Sequence, residues 1–188
     1  MSQRRSLACL FSLMAMVAAS SAHALSIDRV RAQDLTAQSE LIFIGTVVSV
    51  DYRNSDVEGP QHAALPHTFV TFQIERALQG RSEAGDLITL RFQGGPDGQG
   101  RILTIPGVPL FDVGERELLF VQGNGQALCP LVGWHQGRLR LIEGQAYTDD
   151  GREVFLGADG DFAFGAQHAL REVVTARIGG QEFRASFG

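Results

Sequence analysis

The chain contains no lysine: all 16 of its cations are arginine. Schiff-base and general-base lysine chemistry is thereby excluded, as is a phosphate-binding loop of the Walker type. Cysteine is nearly absent too, with only Cys9 and Cys129 present. Cys9 falls in an N-terminal segment read below as a leader, and its place ahead of most of the apolar run is wrong for a lipoprotein anchor. The one remaining thiol cannot build a disulfide framework within a chain, so stability has to come from a hydrophobic core. Beyond the leader no run approaches the roughly 18 apolar residues of a membrane-spanning helix. Basic clusters are also missing, and a formal net charge of −5 makes nucleic acid and anionic membrane surfaces poor partners. Neither a Gly-x-Ser-x-Gly elbow nor a His-Glu-x-x-His pair occurs, so two common hydrolytic sites have no counterpart here.

What is present starts with an export signal. Arg4 and Arg5 form a basic region, Leu7 to Ala19 an apolar one, and Ala22-His23-Ala24 a small-x-small cleavage pattern, so residues 1–24 read as a signal peptide and the mature chain is expected to begin at Leu25. The leader holds two arginines and no acid, and its removal moves the net charge from −5 to −7. Residues 25–188 are then enough for one domain, exported to the periplasm or the extracellular space.

The central stretch is Ser39-Glu40-Leu41-Ile42-Phe43-Ile44-Gly45-Thr46-Val47-Val48-Ser49-Val50-Asp51-Tyr52. Continuous apolar residues give way to alternation, which predicts a long strand covered on both faces at first and on one face later. Ser26 to Ala37, with Ile27, Val30 and Leu35 loosely periodic, predicts a short helix ahead of it. Downstream, 67–76 alternates with Val70, Phe72 and Ile74 inward and Phe69 on the polar side. Leu87 to Phe92, Arg101 to Ile105 and Arg116 to Val121 read as further strands. Ala127 to Trp134 and Arg138 to Ile142 read as a hairpin turning at His135-Gln136-Gly137. Short apolar pieces between Asp-Gly turns follow, and Leu170, Val173, Val174 and Ile178 before Gly179-Gly180 fit a terminal helix. The expected fold is mainly β: a five- to six-stranded antiparallel Greek-key barrel over about 39–142, of the oligonucleotide/oligosaccharide-binding type, with an extension of hairpins and a C-terminal helix over 143–188.

Three of these stretches carry a likeness: Glu40 to Val50, Thr71-Phe72-Gln73-Ile74-Glu75-Arg76-Ala77-Leu78-Gln79-Gly80, and Gly114-Glu115-Arg116-Glu117-Leu118-Leu119-Phe120-Val121. Together they resemble a group of uncharacterised secreted bacterial proteins. More distantly, 39–142 is similar to the netrin-like barrel of the tissue inhibitors of metalloproteinases. The resemblance implies a barrel and a binding role toward a protein, with an exported peptidase as the partner class. It departs at the decisive point, since those inhibitors hold the catalytic zinc through an N-terminal cysteine and this chain is expected to begin Leu25-Ser26. That inhibitory mechanism does not carry over.

The candidate contact surface is the proline-stiffened loop Pro106-Gly107-Val108-Pro109-Leu110-Phe111 with Trp134 and His135. Apolar side chains of restricted freedom lose little entropy when a partner covers them; the competing reading has Val108, Leu110 and Phe111 closing the end of the barrel and Trp134 in its core. No cofactor is expected. His62 and His67, with Asp51, Asp56 and Glu58 near in sequence, lack a zinc spacing and read as solvated loop residues. Asp149-Asp150-Gly151 and Asp159-Gly160-Asp161 lack the remaining ligands of a calcium loop and read as turns. Gly94 to Gly100 reads as a hairpin tip. Cys129, between Leu128 and Pro130, reads as a buried inert thiol. The leading expectation is an exported non-catalytic domain that binds another protein. A carbohydrate-binding module using Tyr52, Phe69 and Trp134 is the first alternative, and a hydrolase assembling Cys129, His135 and an acid is the second. No residue pattern bears on the oligomeric state.

Overall fold

The structure is a computed structural model describing residues 29–54 and 65–168, together with the backbone of Val173–Ile178 and Gln181–Ser186. Residues 1–24, expected to be a signal peptide, lie outside the described residues, as do Ser26, His62, Asp56 and Glu58. A helix α1 (Ala32–Gln38) precedes strands β1 (Leu41–Asn54), β2 (Pro66–Gln79), β3 (Leu87–Gln93), β4 (Gly95–Pro96), β5 (Ile102–Leu103) and β6 (Arg116–Val121). A 3-10 turn (Trp134–Gly137) then leads into β7 (Arg138–Ile142), β8 (Gln145–Tyr147), β9 (Arg152–Leu156), β10 (Phe162–Gln167), β11 (Val173–Ile178) and β12 (Gln181–Ser186). Among the described residues no helix is long and apolar enough to cross a membrane.

The main sheet is antiparallel, in the order β10-β9-β8-β7-β6-β1-β2-β3, and β1 is central because β6 and β2 pair with its two edges. Ile42 and Phe43 are consecutive yet both buried, which a strand permits only where both faces are covered. On one face Phe43, Val47, Val70, Phe72, Leu90 and Leu119 form the larger core, with Phe43 and Phe72 edge to face at 5.6 Å. On the other, Leu35 of α1 packs with Ile42, Phe120, Leu139 and Val154. The expected alternation in β2 holds: Val70, Phe72 and Ile74 are buried, while Phe69 is half-buried. Gly45 allows the pairing with β2 to shift register there, because a Cβ would lie 2.8 Å from the Gln73 carbonyl oxygen.

The helix is capped from far away in sequence. Arg31 at its N-cap makes no side-chain capping bond to the backbone, and the Ala32 N–H donates instead to Asp161 Oδ1 at 2.8 Å, which also accepts the Phe162 N–H at 2.8 Å. These two bonds hold the Asp161 carboxyl below its ordinary 3.8. The folded value is lowered, so the stabilisation is present above the ordinary value and is lost as pH falls through the folded one. Asp161→Ala is therefore expected to lower the thermal midpoint at neutral pH, with the gap to the unmodified chain closing in acid; parallel melts at the two pH values check it.

Four expectations need correction. Among the described residues the ladder ends at β10 and β3 and does not close into a barrel. The outer edge of β3 is taken up by a loop: Asn124 accepts the Arg91 N–H at 3.1 Å and donates to the Thr89 carbonyl at 2.9 Å, and the Gln93 N–H donates to the Leu128 carbonyl at 2.8 Å. Second, 127–134 does not pair with β7. Pro130 lacks an N–H and Gly133 has φ of 64°, so this segment turns, and β7 pairs with β6. Third, the C-terminal helix is replaced over 173–178 by β11, paired with β12. Val173, Val174, Thr175 and Ile178 are β-branched, and Gly179-Gly180 directly after them is a turn signal; Leu170 lies outside the described residues. Fourth, His67 is not solvated: it is buried in β2, with Nδ1 2.9 Å from the Leu65 carbonyl.

Candidate functional site

Strand register places charge where alternation suggested solvent. Leu119 pairs with Arg138 and Glu117 with Arg140, so Glu117, Arg138 and Arg140 share the face of the larger core. Arg138 is 0% exposed and all five of its N–H groups are engaged. Nε and Nη2 donate to Glu117 at 3.2 and 2.9 Å, Nη2 also to Glu115 at 2.9 Å, and Nη1 to Asp149 at 2.7 Å and to the Leu110 carbonyl at 2.6 Å. The guanidinium lies 4.4 Å over the Phe111 ring. Glu115 also accepts from Arg140 at 2.5 Å and from the Asp112 N–H at 2.9 Å.

Glu117 is likewise 0% exposed. Burial pushes its carboxyl up to about 7, against the downward pull of Arg138 beside it. Burial alone would lower the Arg138 guanidinium, but Glu117, Asp149 and Glu115 outweigh it and hold the proton on. Neither group reaches solvent, and the cluster is a brace joining β6, β7, the proline loop and the turn after β8.

Beside this brace opens a cavity of about 480 Å³, lined by Arg29, His135, Gln136, Asp149, Arg152 and Phe164, with the Arg29 guanidinium 3.8 Å over the Phe164 ring. The expected contact surface meets this cavity at His135. The His135 N–H donates to the Gly107 carbonyl at 3.1 Å, and a Cβ on Gly107 would sit 3.3 Å from the Trp134 ring, so loop and indole are in contact. Of the named residues, Pro106 is exposed, Val108 half-buried against the larger core, Pro109 buried, Leu110 46% exposed and Phe111 6% exposed. Trp134 is 37% exposed and His135 half-buried. Trp134 has φ of 61°, a left-handed conformation that is costly for a bulky residue.

The other candidates fall elsewhere. Cys129 is buried in the larger core, where desolvation pushes its thiol up to about 12. Among the described residues no hydrogen bond joins Cys129 to His135. Asp51 pairs with Phe69 and Tyr52 with Thr68, so Tyr52 and Phe69 stand on opposite faces of the β1–β2 ribbon, and Phe69 is already covered by Arg53 at 3.7 Å. The acidic turns are already engaged: Asp149 accepts from Arg138 of β7 at 2.7 Å and Asp159 from the Asp161 N–H at 3.1 Å. Among the described residues no group of three or more His, Cys, Asp or Glu side chains is placed to hold a metal ion.

Sequence reasoning missed the pairing of Glu115, Glu117, Arg138 and Arg140, and read Asp149 only as part of a turn. The available signal was a matched pair of charge patterns, Glu115-Arg116-Glu117 and Arg138-Leu139-Arg140, each able to put two like charges on one face of a strand.

No protein-family model, no curated protein and no solved structure matches the chain.

Proposed function

We propose that the chain is an exported, non-catalytic recognition domain that binds another protein through the face made by Pro106, Leu110, Trp134 and His135, the last of which also lines the cavity. The observation that carries this is Trp134: a large aromatic held at φ of 61° and left partly exposed against a proline loop braced from beneath by Arg138. Such strain persists only where the surroundings impose it, and a rigid indole next to Leu110 is the kind of anchor that dominates protein interfaces. The cavity beside it gives an incoming side chain a place to enter, with Arg29, Gln136 and Arg152 as polar partners. Export rests on the Arg4-Arg5 and Leu7 to Ala19 leader. The likeness of 39–142 to netrin-like inhibitors favours an exported peptidase as the partner class.

Capture of partners from the exported fraction with the mature protein as bait tests this. The double variant Leu110→Ser, Trp134→Gly is expected to keep its fold, since glycine relieves the left-handed backbone at 134, and to lose the captured protein at least about tenfold, as removal of two anchors would. Equal capture by both baits overturns the assignment of this face.

A further inference from the structure

β10 is hydrogen-bonded on one side, to β9, and among the described residues no strand lies beyond it. At the other end of the sheet Asn124 shields β3, whereas among the described residues the outer edge of β10 pairs with no strand. Near that edge runs an apolar groove of about 600 Å³, between α1 and the corner where β9 passes into β10, lined by Leu78, Leu118, Phe120, Leu156 and Phe162. Leu156 there is 74% exposed.

β11 and β12 form a separate two-stranded sheet whose register sorts its residues by polarity. Val174 stands opposite Ala185, Ala176 opposite Phe183 and Ile178 opposite Gln181, while the alternate pairs are Val173 with Ser186, Thr175 with Arg184 and Arg177 with Glu182. Paired residues share a face, so one face of the hairpin carries nearly all its apolar residues and the other its charges. A lone two-stranded ribbon is marginal in water, and an apolar face has to be covered.

The connection fits the same rule as the strands before it. β7, β8, β9 and β10 each pair antiparallel with the preceding strand of the chain. Five residues separate β9 from β10, and five separate β10 from β11. His168, directly after β10, still donates its backbone N–H to the Gly151 carbonyl at 2.8 Å, so the chain leaves the sheet level with the start of β9. A strand turning back there runs along the open edge, and its six residues cover about 20 Å, which brings Ile178 level with Phe162 and the groove.

We propose that the C-terminal hairpin adds to β10 as the ninth and tenth strands of the main sheet, with the face carrying Val174, Ala176, Ile178 and Phe183 closing the groove at Leu156 and Phe162. Amide exchange on the full chain, read by mass spectrometry, tests it. The β10 amides are expected to be as protected as those of β9. Ala176→Asp on the apolar face and Leu156→Asp in the groove are each expected to speed β10 exchange at least about tenfold, while Thr175→Asp on the opposite face leaves it unchanged. An unprotected β10 in the unmodified chain overturns the proposal. So do Leu156→Asp and Ala176→Asp variants that behave like Thr175→Asp, or protection that grows with protein concentration in a dimer, which would give the edge to a second copy.

Discussion

Replacing Arg138 by Met is expected to cost about 3–5 kcal/mol, because it leaves Glu117 buried without its cation. The loss reaches beyond one pair, since the same guanidinium holds Glu115, Asp149 and the Leu110 carbonyl. The pH dependence carries a signature of Glu117. Its folded value of about 7 stands above the ordinary 4.5, so its contribution is fully present below 4.5 and is lost as pH rises through 7. Without Arg138 the folded value rises further, so the deficit of Arg138→Met is expected to shrink in acid and widen toward alkaline pH. Adding Glu117→Leu removes the stranded carboxyl, and the double variant is expected to recover most of the loss, as apolar replacements of buried ion pairs generally do. Urea midpoints of the three proteins between pH 5 and 8 measure all of this. A double variant as weak as the single one would mean that Glu115 and Asp149, not Glu117, are what Arg138 neutralises.

The elements legible in the sequence are those whose pattern has one structural solution. Leu41 to Val47 is apolar without interruption and rich in β-branched residues, so a central strand was the direct reading, and Val70, Phe72 and Ile74 alternate cleanly. The ion cluster was hidden because alternation has no sign: Arg138-Leu139-Arg140 fits a strand with its arginines in water equally well, and only pairing with β6 turns them inward onto Glu117. Leu170, Val173, Val174 and Ile178 satisfy a helical period by coincidence of spacing, while their neighbours' β-branching favours the strand that forms. Asp161 capping a helix 129 residues earlier is a tertiary event with no local trace. The candidate surface was half legible. Proline stiffness marked the loop and the indole marked its neighbour, but the positive φ of Trp134 and the division of labour between Leu110 and Phe111 depend on the packing beneath them.

That division is the basis of the second large effect. Phe111→Ala is expected to cost about 3–5 kcal/mol, the range for truncating a buried phenylalanine, whereas Leu110→Ser next to it is expected to stay within about 0.5 kcal/mol. Phe111 is 6% exposed, and its ring meets Phe72 at 5.5 Å, Phe92 at 5.0 Å and the Arg138 guanidinium at 4.4 Å. Its removal opens a cavity at the end of the larger core and strips the face on which Arg138 rests, so the anchor of the proline loop and the brace fail together. Leu110 points the other way and contributes its carbonyl, which serine retains, to Arg138. Denaturation midpoints separate the two residues as core and surface, and the capture assay is expected to rank them in reverse for variants that stay folded: Phe111→Leu, which keeps most of the volume and costs about 1.5 kcal/mol or less, retains the partner, while Leu110→Ser weakens its hold. If Phe111→Ala proves as mild as Leu110→Ser, the loop is held by its prolines alone, and the rigidity that the proposed recognition requires does not come from Arg138.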